Sequence, residues 1–112
     1  MPLTPLQLSG LQPLIDAVNA ANRSNATVTD TTVSTTSVEA IAANTSRRYL
    51  LIQNTHATND LFINFGGAAT TSDIQVAAGG NYEALIAPTE SVNLIASAAG
   101  TTVVITEGVD IP

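Results

Sequence analysis

The stretch RYLLI, residues 48–52, and the stretch LFINF, residues 61–65, decide the fold. In the first, apolar side chains occupy both alternating positions after Arg48, which is typical of a strand at the centre of a sheet. In the second, Leu61, Ile63 and Phe65 share one face, as in a strand with one buried side. The core residues predicted from these two strands are Leu50, Ile52, Ile63 and Phe65.

Turn-forming residues divide the chain at regular intervals around these two strands. They fall near His56, Gly67, Gly79, Pro88 and Gly100, every 9 to 12 residues, a spacing typical of all-β sandwiches and barrels. The loop from Asn54 to Asp60 has a length suited to a hairpin. The predicted fold is an all-β, antiparallel, jelly-roll-like sandwich over residues 36–112, with further strands near 36–43, 74–77, 82–86, 92–96 and 102–106.

Two segments precede the predicted sandwich. Residues 1–24 form an apolar arm that is interrupted by prolines, with a short helix predicted from Pro13 to about residue 22, where apolar residues recur at helical spacing. A helix of this length is not stable alone, so it must pack against its own domain or a neighbour. Residues 25–35 are rich in Thr and Ser and are predicted to be a linker, with an edge strand as the alternative.

Composition excludes several classes of protein. The chain has 112 residues, a formal net charge of −6 and no Lys, so it lacks the basic face of a nucleic-acid-binding protein. It has no apolar run of the ~20 residues that span a membrane and no recognisable signal peptide, so neither export nor membrane binding is predicted. With no Cys, disulfides and thiolate sites are excluded.

The residues that could carry chemistry do not form a recognisable site. His56 is the single His and lies in a predicted loop, where a solvated side chain is the usual role. The nine carboxylates are spread along the chain and are interpreted as solvated charges. The pairs Gly66-Gly67 and Gly79-Gly80 fit no phosphate-binding pattern. We therefore predict no catalytic residue, metal site or cofactor, and a protein that is not an enzyme.

Four stretches together resemble small β-rich virion proteins of tailed bacteriophages. In those proteins an R-x-x-L-x-I-Q-N strand, an I-x-F-G strand and a V-x-x-G-G turn recur. Here they correspond to residues 46–54, 61–66 and 74–82, followed by a fourth similar stretch at residues 92–97. The resemblance covers about half of the chain and includes no catalytic motif. The family contains capsid decoration (cement) proteins, head-fibre bases and tail components.

The resemblance implies a capsid decoration protein, a homotrimer that binds the major capsid protein on the outside of the shell and stabilises the expanded lattice. Its location would be the virion surface after synthesis in the host cytoplasm. A tail or head-fibre adaptor is the alternative within virion proteins, and a carbohydrate-binding adhesin module is the alternative of another class. The candidate contacts with the capsid or a sister subunit are Leu3, Leu6, Leu8, Leu11 and Leu14 of the arm, together with Arg47 and Arg48.

Overall fold

A computed structural model of the 112-residue chain describes residues 24–84 and 86–110. They form eight strands: β1 (Ser24–Val33), β2 (Val38–Ile41), β3 (Arg47–Asn54), β4 (Leu61–Phe65), β5 (Ile74–Val76), β6 (Asn81–Ala84), β7 (Val92–Ala96) and β8 (Thr101–Asp110). Within these ranges there is no helix of the length and apolarity needed to cross a membrane. The predicted arm and helix, with the five candidate leucines, lie outside the described residues.

The strands form two four-stranded antiparallel sheets. Sheet A has the order β1-β8-β3-β6 and sheet B the order β2-β7-β4-β5. Their facing sides build one hydrophobic core, to which sheet A contributes residues such as Ile52 and Ile105 and sheet B residues such as Leu61 and Leu94. The predicted all-β, antiparallel, sandwich-like architecture is confirmed.

The predicted core is also largely correct. Leu50, Ile52 and Ile63 are fully buried, whereas Phe65 is only half-buried. Phe65 lies at the rim of the sandwich, where its ring centroid is 6.0 Å from that of Tyr82 in the opposite sheet. Alternation therefore predicted the correct face for Phe65 but not how close to the edge it lies.

The prediction of a linker over residues 25–35 is wrong, and the edge-strand alternative is correct. All ten residues of β1 pair with β8 without interruption, from Ser24 opposite Asp110 to Val33 opposite Thr101. Thr suits such a strand because its β-branched side chain is favoured in extended backbone. The pairing was not visible locally because the paired residues are far apart in the chain, from 68 positions for Val33 and Thr101 to 86 for Ser24 and Asp110. The sandwich thus begins at β1 rather than at residue 36.

The predicted hairpin between β3 and β4 is also corrected. β3 belongs to sheet A and β4 to sheet B, so residues 55–60 cross between the sheets. Loop length could not distinguish the two arrangements, because a hairpin and a crossover of this length join strands with the same alternating pattern. The crossover places Asn54, at the end of β3, beside sheet B.

Candidate functional site

Arg47, at the start of β3, is the most heavily bonded side chain among the described residues. Its guanidinium is fully buried and donates from Nε to Glu107 Oε2 at 2.6 Å. Nη1 donates to the carbonyl oxygens of Pro88 and Glu90, both at 2.7 Å, and Nη2 to that of Ala42 at 2.8 Å. Ala42 follows β2, and Pro88 and Glu90 precede β7. One side chain of sheet A therefore holds two of the connections between the sheets, β2–β3 and β6–β7.

A β-bulge turns Arg47 inward. The register between β3 and β8 shifts between Arg47 and Tyr49, so Arg48 is the extra residue. Without this shift, Arg47 and Tyr49 would share the outer face, because residues two apart in a strand point the same way. Gly108 lies opposite Tyr49, and a Cβ there would be only 3.0 Å from Tyr49 Cβ. Glycine has no side chain, so its presence at position 108 permits this close approach.

The two arginines of the predicted contact set have different surroundings. Arg47 was predicted to contact the capsid or a sister subunit, but its buried side chain binds Glu107 of its own chain in the interior. Glu107 is likewise not the solvated carboxylate that the sequence suggested. Arg48 remains at the surface, with its side chain 46% exposed and Nη1 3.1 Å from Asp110 Oδ1.

Asn54 fixes the other end of β3. Its side chain is almost completely buried, and Nδ2 donates to the carbonyl oxygens of Asn59 and Val76 at 2.8 and 3.1 Å. Its Oδ1 accepts the backbone N–H of His56 at 3.1 Å. Val76 belongs to β5 of sheet B, so Asn54 joins the crossover loop to the opposite sheet. Sequence reasoning missed this role, although a polar residue closing an apolar strand was a usable signal.

Four of the five fixed residues of the R-x-x-L-x-I-Q-N pattern form two pairs with different roles. Arg47 and Asn54 hold the two ends of β3 through hydrogen bonds to the connections with sheet B and to Val76 of β5, while Leu50 and Ile52 between them are fully buried in the core. No buried side-chain N or O atom of the described residues lacks a hydrogen-bond partner. Because breaking such bonds leaves desolvated polar groups, the pattern specifies one packing of the two sheets.

His56 has a structural contact in the crossover loop. Its Nδ1 accepts the backbone N–H groups of Thr58 and Asn59 at 3.1 and 3.0 Å, and the residue is half-buried rather than fully solvated. Over residues 24–84 and 86–110, no group of three or more His, Asp or Glu side chains is placed to hold a metal ion.

The outer face of sheet B is covered by its own chain. Asn64 Nδ2 donates to Ala68 O at 3.0 Å, and the Ala69 N–H donates to Ser37 Oγ at 2.8 Å. These bonds draw the β4–β5 loop across the sheet towards β2. Phe62, which points outward from β4, is only 9% exposed, and Ala69 of this loop is buried.

The outer face of sheet A is open by comparison. Val28 of β1 is 63% exposed on this face. Tyr49 also lies on it and donates its hydroxyl to Glu83 Oε2. This hydrogen bond to a carboxylate raises the pKa of Tyr49 above its ordinary value of 10.0, and the smaller effects of desolvation and the Glu83 charge act in the same direction. At the other end of this face, the hydroxyls of Thr55 and Thr102 line a shallow depression without an aromatic ring among its described lining residues.

Comparison with known proteins adds one finding about the fold. No protein-family model matches the chain, and no curated protein matches it. Among solved structures, the chain is similar to a protein from a structure titled "Bacillus endospore appendages form a novel family of disulfide-linked pili". The two chains are 17% identical with a TM-score of 0.51, over 80% of this chain and 88% of that chain. At this identity the likeness concerns the fold alone.

Proposed function

We propose that this protein is a structural subunit of a bacteriophage virion, a capsid decoration protein that binds the outer shell and stabilises its expanded state. Binding the expanded lattice and not the earlier one favours expansion by mass action, so the function requires no catalysis. The sandwich is the rigid body of this subunit, and the leucines of residues 1–24 bind the major capsid protein or a sister subunit.

The position of the motif residues carries the proposal. In the pattern shared with small virion proteins, Arg47, Leu50, Ile52 and Asn54 all hold the two sheets together, so the resemblance concerns a rigid body rather than a reaction centre. A body whose buried polar groups are satisfied within itself loses little conformational freedom on binding, which favours tight assembly.

The apolar arm is the natural binding element in this scheme. Leu3, Leu6, Leu8 and Leu11 precede β1, and burying them at about 25 cal/mol per Å² contributes several kcal/mol before the entropy of ordering is subtracted. The described core, from Val33 to Ile105, draws on both sheets. Repetition of the subunit around three-fold positions of the shell adds avidity.

A tail or head-fibre adaptor subunit is the second candidate. The fold likeness to a protein of endospore appendages favours it, because that structure is described as a pilus. The same linkage is not open to this chain, since disulfide-linked assembly requires cysteines and the sequence has none. The two candidates differ in copy number, which is large on a shell and small at a tail or fibre base.

Deletion of residues 1–12 tests the binding role of the arm. We expect the truncated protein to retain its β content by circular dichroism and to bind expanded capsids at least tenfold more weakly, equivalent to ~1.4 kcal/mol. Ile86→Ser is the matched control, because Ile86 is an apolar residue of the sandwich that is 96% exposed. Unchanged capsid binding by the truncated protein would contradict the proposal, as would equal weakening by Ile86→Ser.

A further inference from the structure

Strand β1 is unusual among the sheet edges of the described residues. It has ten residues, whereas the other edge strands, β2, β5 and β6, have four, three and four. Its pairing with β8 contains no bulge, and it carries no Pro, no Lys and a single charge, at Asp30. Proteins usually protect a long edge strand with bulges, prolines, lysines or other charged residues, because an unprotected edge pairs with another strand.

The backbone of β1 has hydrogen-bonding groups directed away from β8, on the side where no described strand pairs with it. In β8, Asp110 N donates to Ser46 O and Thr102 O accepts from Thr55 N. The N–H and C=O groups of the even-numbered residues of β8 are therefore directed at β3 and its flanking residues. Because the bonding direction alternates along an antiparallel strand, the odd-numbered residues of β8 bond to β1. Their partners in β1 are odd-numbered as well. The even-numbered residues of β1, including Val28, thus point their N–H and C=O groups away from the described sheet.

Another copy of β1 is the partner that fits this edge best. The described edges of three or four residues would leave more than half of β1 unpaired, whereas a second β1 matches its length. A continuous sheet also requires outward side chains to lie opposite outward side chains. This condition restricts an antiparallel β1–β1 contact to a few registers, which differ in what faces Val28 and Asp30.

Charge and packing select one of these registers. Centring the contact on Asp30 would oppose two carboxylates, which is destabilising, and centring it on Thr29 would place Asp30 opposite Val28. Centring it on Val28 pairs the two exposed valines with each other and places Asp30 opposite Ala26. Paired β-branched side chains stabilise neighbouring strands.

We propose that two copies of this protein associate through β1, antiparallel about a two-fold axis at Val28, so that their two sheets A form one continuous eight-stranded sheet. The contact is isologous, since each copy uses the same strand. It is independent of capsid binding.

Cysteine cross-linking tests the register directly, because the chain has no Cys of its own. In Val28→Cys the two thiols face each other, within the Cα separation of about 4.4 to 6.8 Å that a disulfide bridges. Thr32→Cys is the matched control: it lies on the same strand and face and is exposed, but the two copies of residue 32 would be about 26 Å apart at ~3.3 Å per residue. We expect mild oxidation to yield about tenfold more covalent dimer from Val28→Cys than from Thr32→Cys.

The mass of the uncross-linked protein provides the second measurement. We expect sedimentation to give an even multiple of 11.5 kDa for the wild type and for Val38→Lys, a control at an exposed valine of β2. Val28→Lys, which opposes two cations, should shift the mass to half that value or less. A wild-type monomer or trimer, together with no cross-link in Val28→Cys, would overturn the proposal. The same result is expected if residues 1–23 of the same chain cover β1. Capsid binding would be unaffected by that outcome.

Discussion

Replacing Arg47 with Ala should destabilise the sandwich more than the same replacement of Arg48, the other charged residue of β3. The substitution leaves Glu107, whose side chain is only 18% exposed, without its cation and removes the donor from three carbonyl oxygens. Removing one member of a buried ion pair costs about 3 to 5 kcal/mol, a large part of the ~5 to 15 kcal/mol by which such domains are stable. The free energy of unfolding from urea titration measures this loss.

Arg48→Ala is the matched control for that experiment. Arg48 is the next residue and has the same chemistry, but its bond to Asp110 joins side chains that are 46% and 49% exposed. Exposed ion pairs contribute ~1 kcal/mol or less, so we expect a correspondingly small loss. If Arg47→Ala does not fold, Arg47→Lys provides the comparison, because a single ammonium cannot reproduce the fork of donors and should cost about 2 kcal/mol. Equal losses for the two arginine-to-alanine variants would refute the assignment of Arg47 as the residue that locks the sheets.

Three further outcomes follow from the same structure. Asn54→Ala should cost about 1 to 3 kcal/mol in the free energy of unfolding, because the carbonyl oxygens of Asn59 and Val76, one part-buried and one buried, lose their donor. Ile63→Ala should cost about 2 to 5 kcal/mol in the free energy of unfolding, because Ile63 is fully buried. Phe65→Ala should cost less than the ~3 to 5 kcal/mol of a fully buried Phe, and denaturant titration measures both losses. Tyr49 should ionise above pH 10.0, and Glu83→Gln should lower that pKa, as followed by tyrosinate absorbance. Since the folded-state pKa is raised, the stabilising contribution of Tyr49 is present below pH 10.0 and is lost as the pH rises through the folded-state pKa.

The sequence predicts the strands well because their signal is local. Alternation over residues 48–52 and 61–65, with turn residues every 9 to 12 positions, is enough to locate most of the sandwich and to identify Leu50, Ile52 and Ile63 as core. The Thr-rich segment that became β1 has weak alternation. Its structure depends on a partner strand that is distant in the sequence, which a local pattern cannot show.

The interior site was not predictable for a related reason. Arg47 and Arg48 are the same residue type at adjacent positions, yet one is buried and the other exposed. What separates them is the bulge opposite Gly108, about sixty residues away, and the position of Glu107 beside it. The sequence could show that polar residues close an apolar strand at both ends, but not which acceptors in sheet B would receive their hydrogen bonds.

Counting copies of the chain in purified particles tests the central proposal most directly. Virus particles should be purified from the source of this sequence, and the chain should be measured in them by quantitative gel densitometry against the major capsid protein. A decoration protein should be present in hundreds of copies, since a symmetric shell repeats its binding site many times. It should also be lost from the shell when residues 1–12 are deleted. A handful of copies per particle, or none, would contradict the proposal, and a handful would indicate the tail or fibre-base adaptor instead.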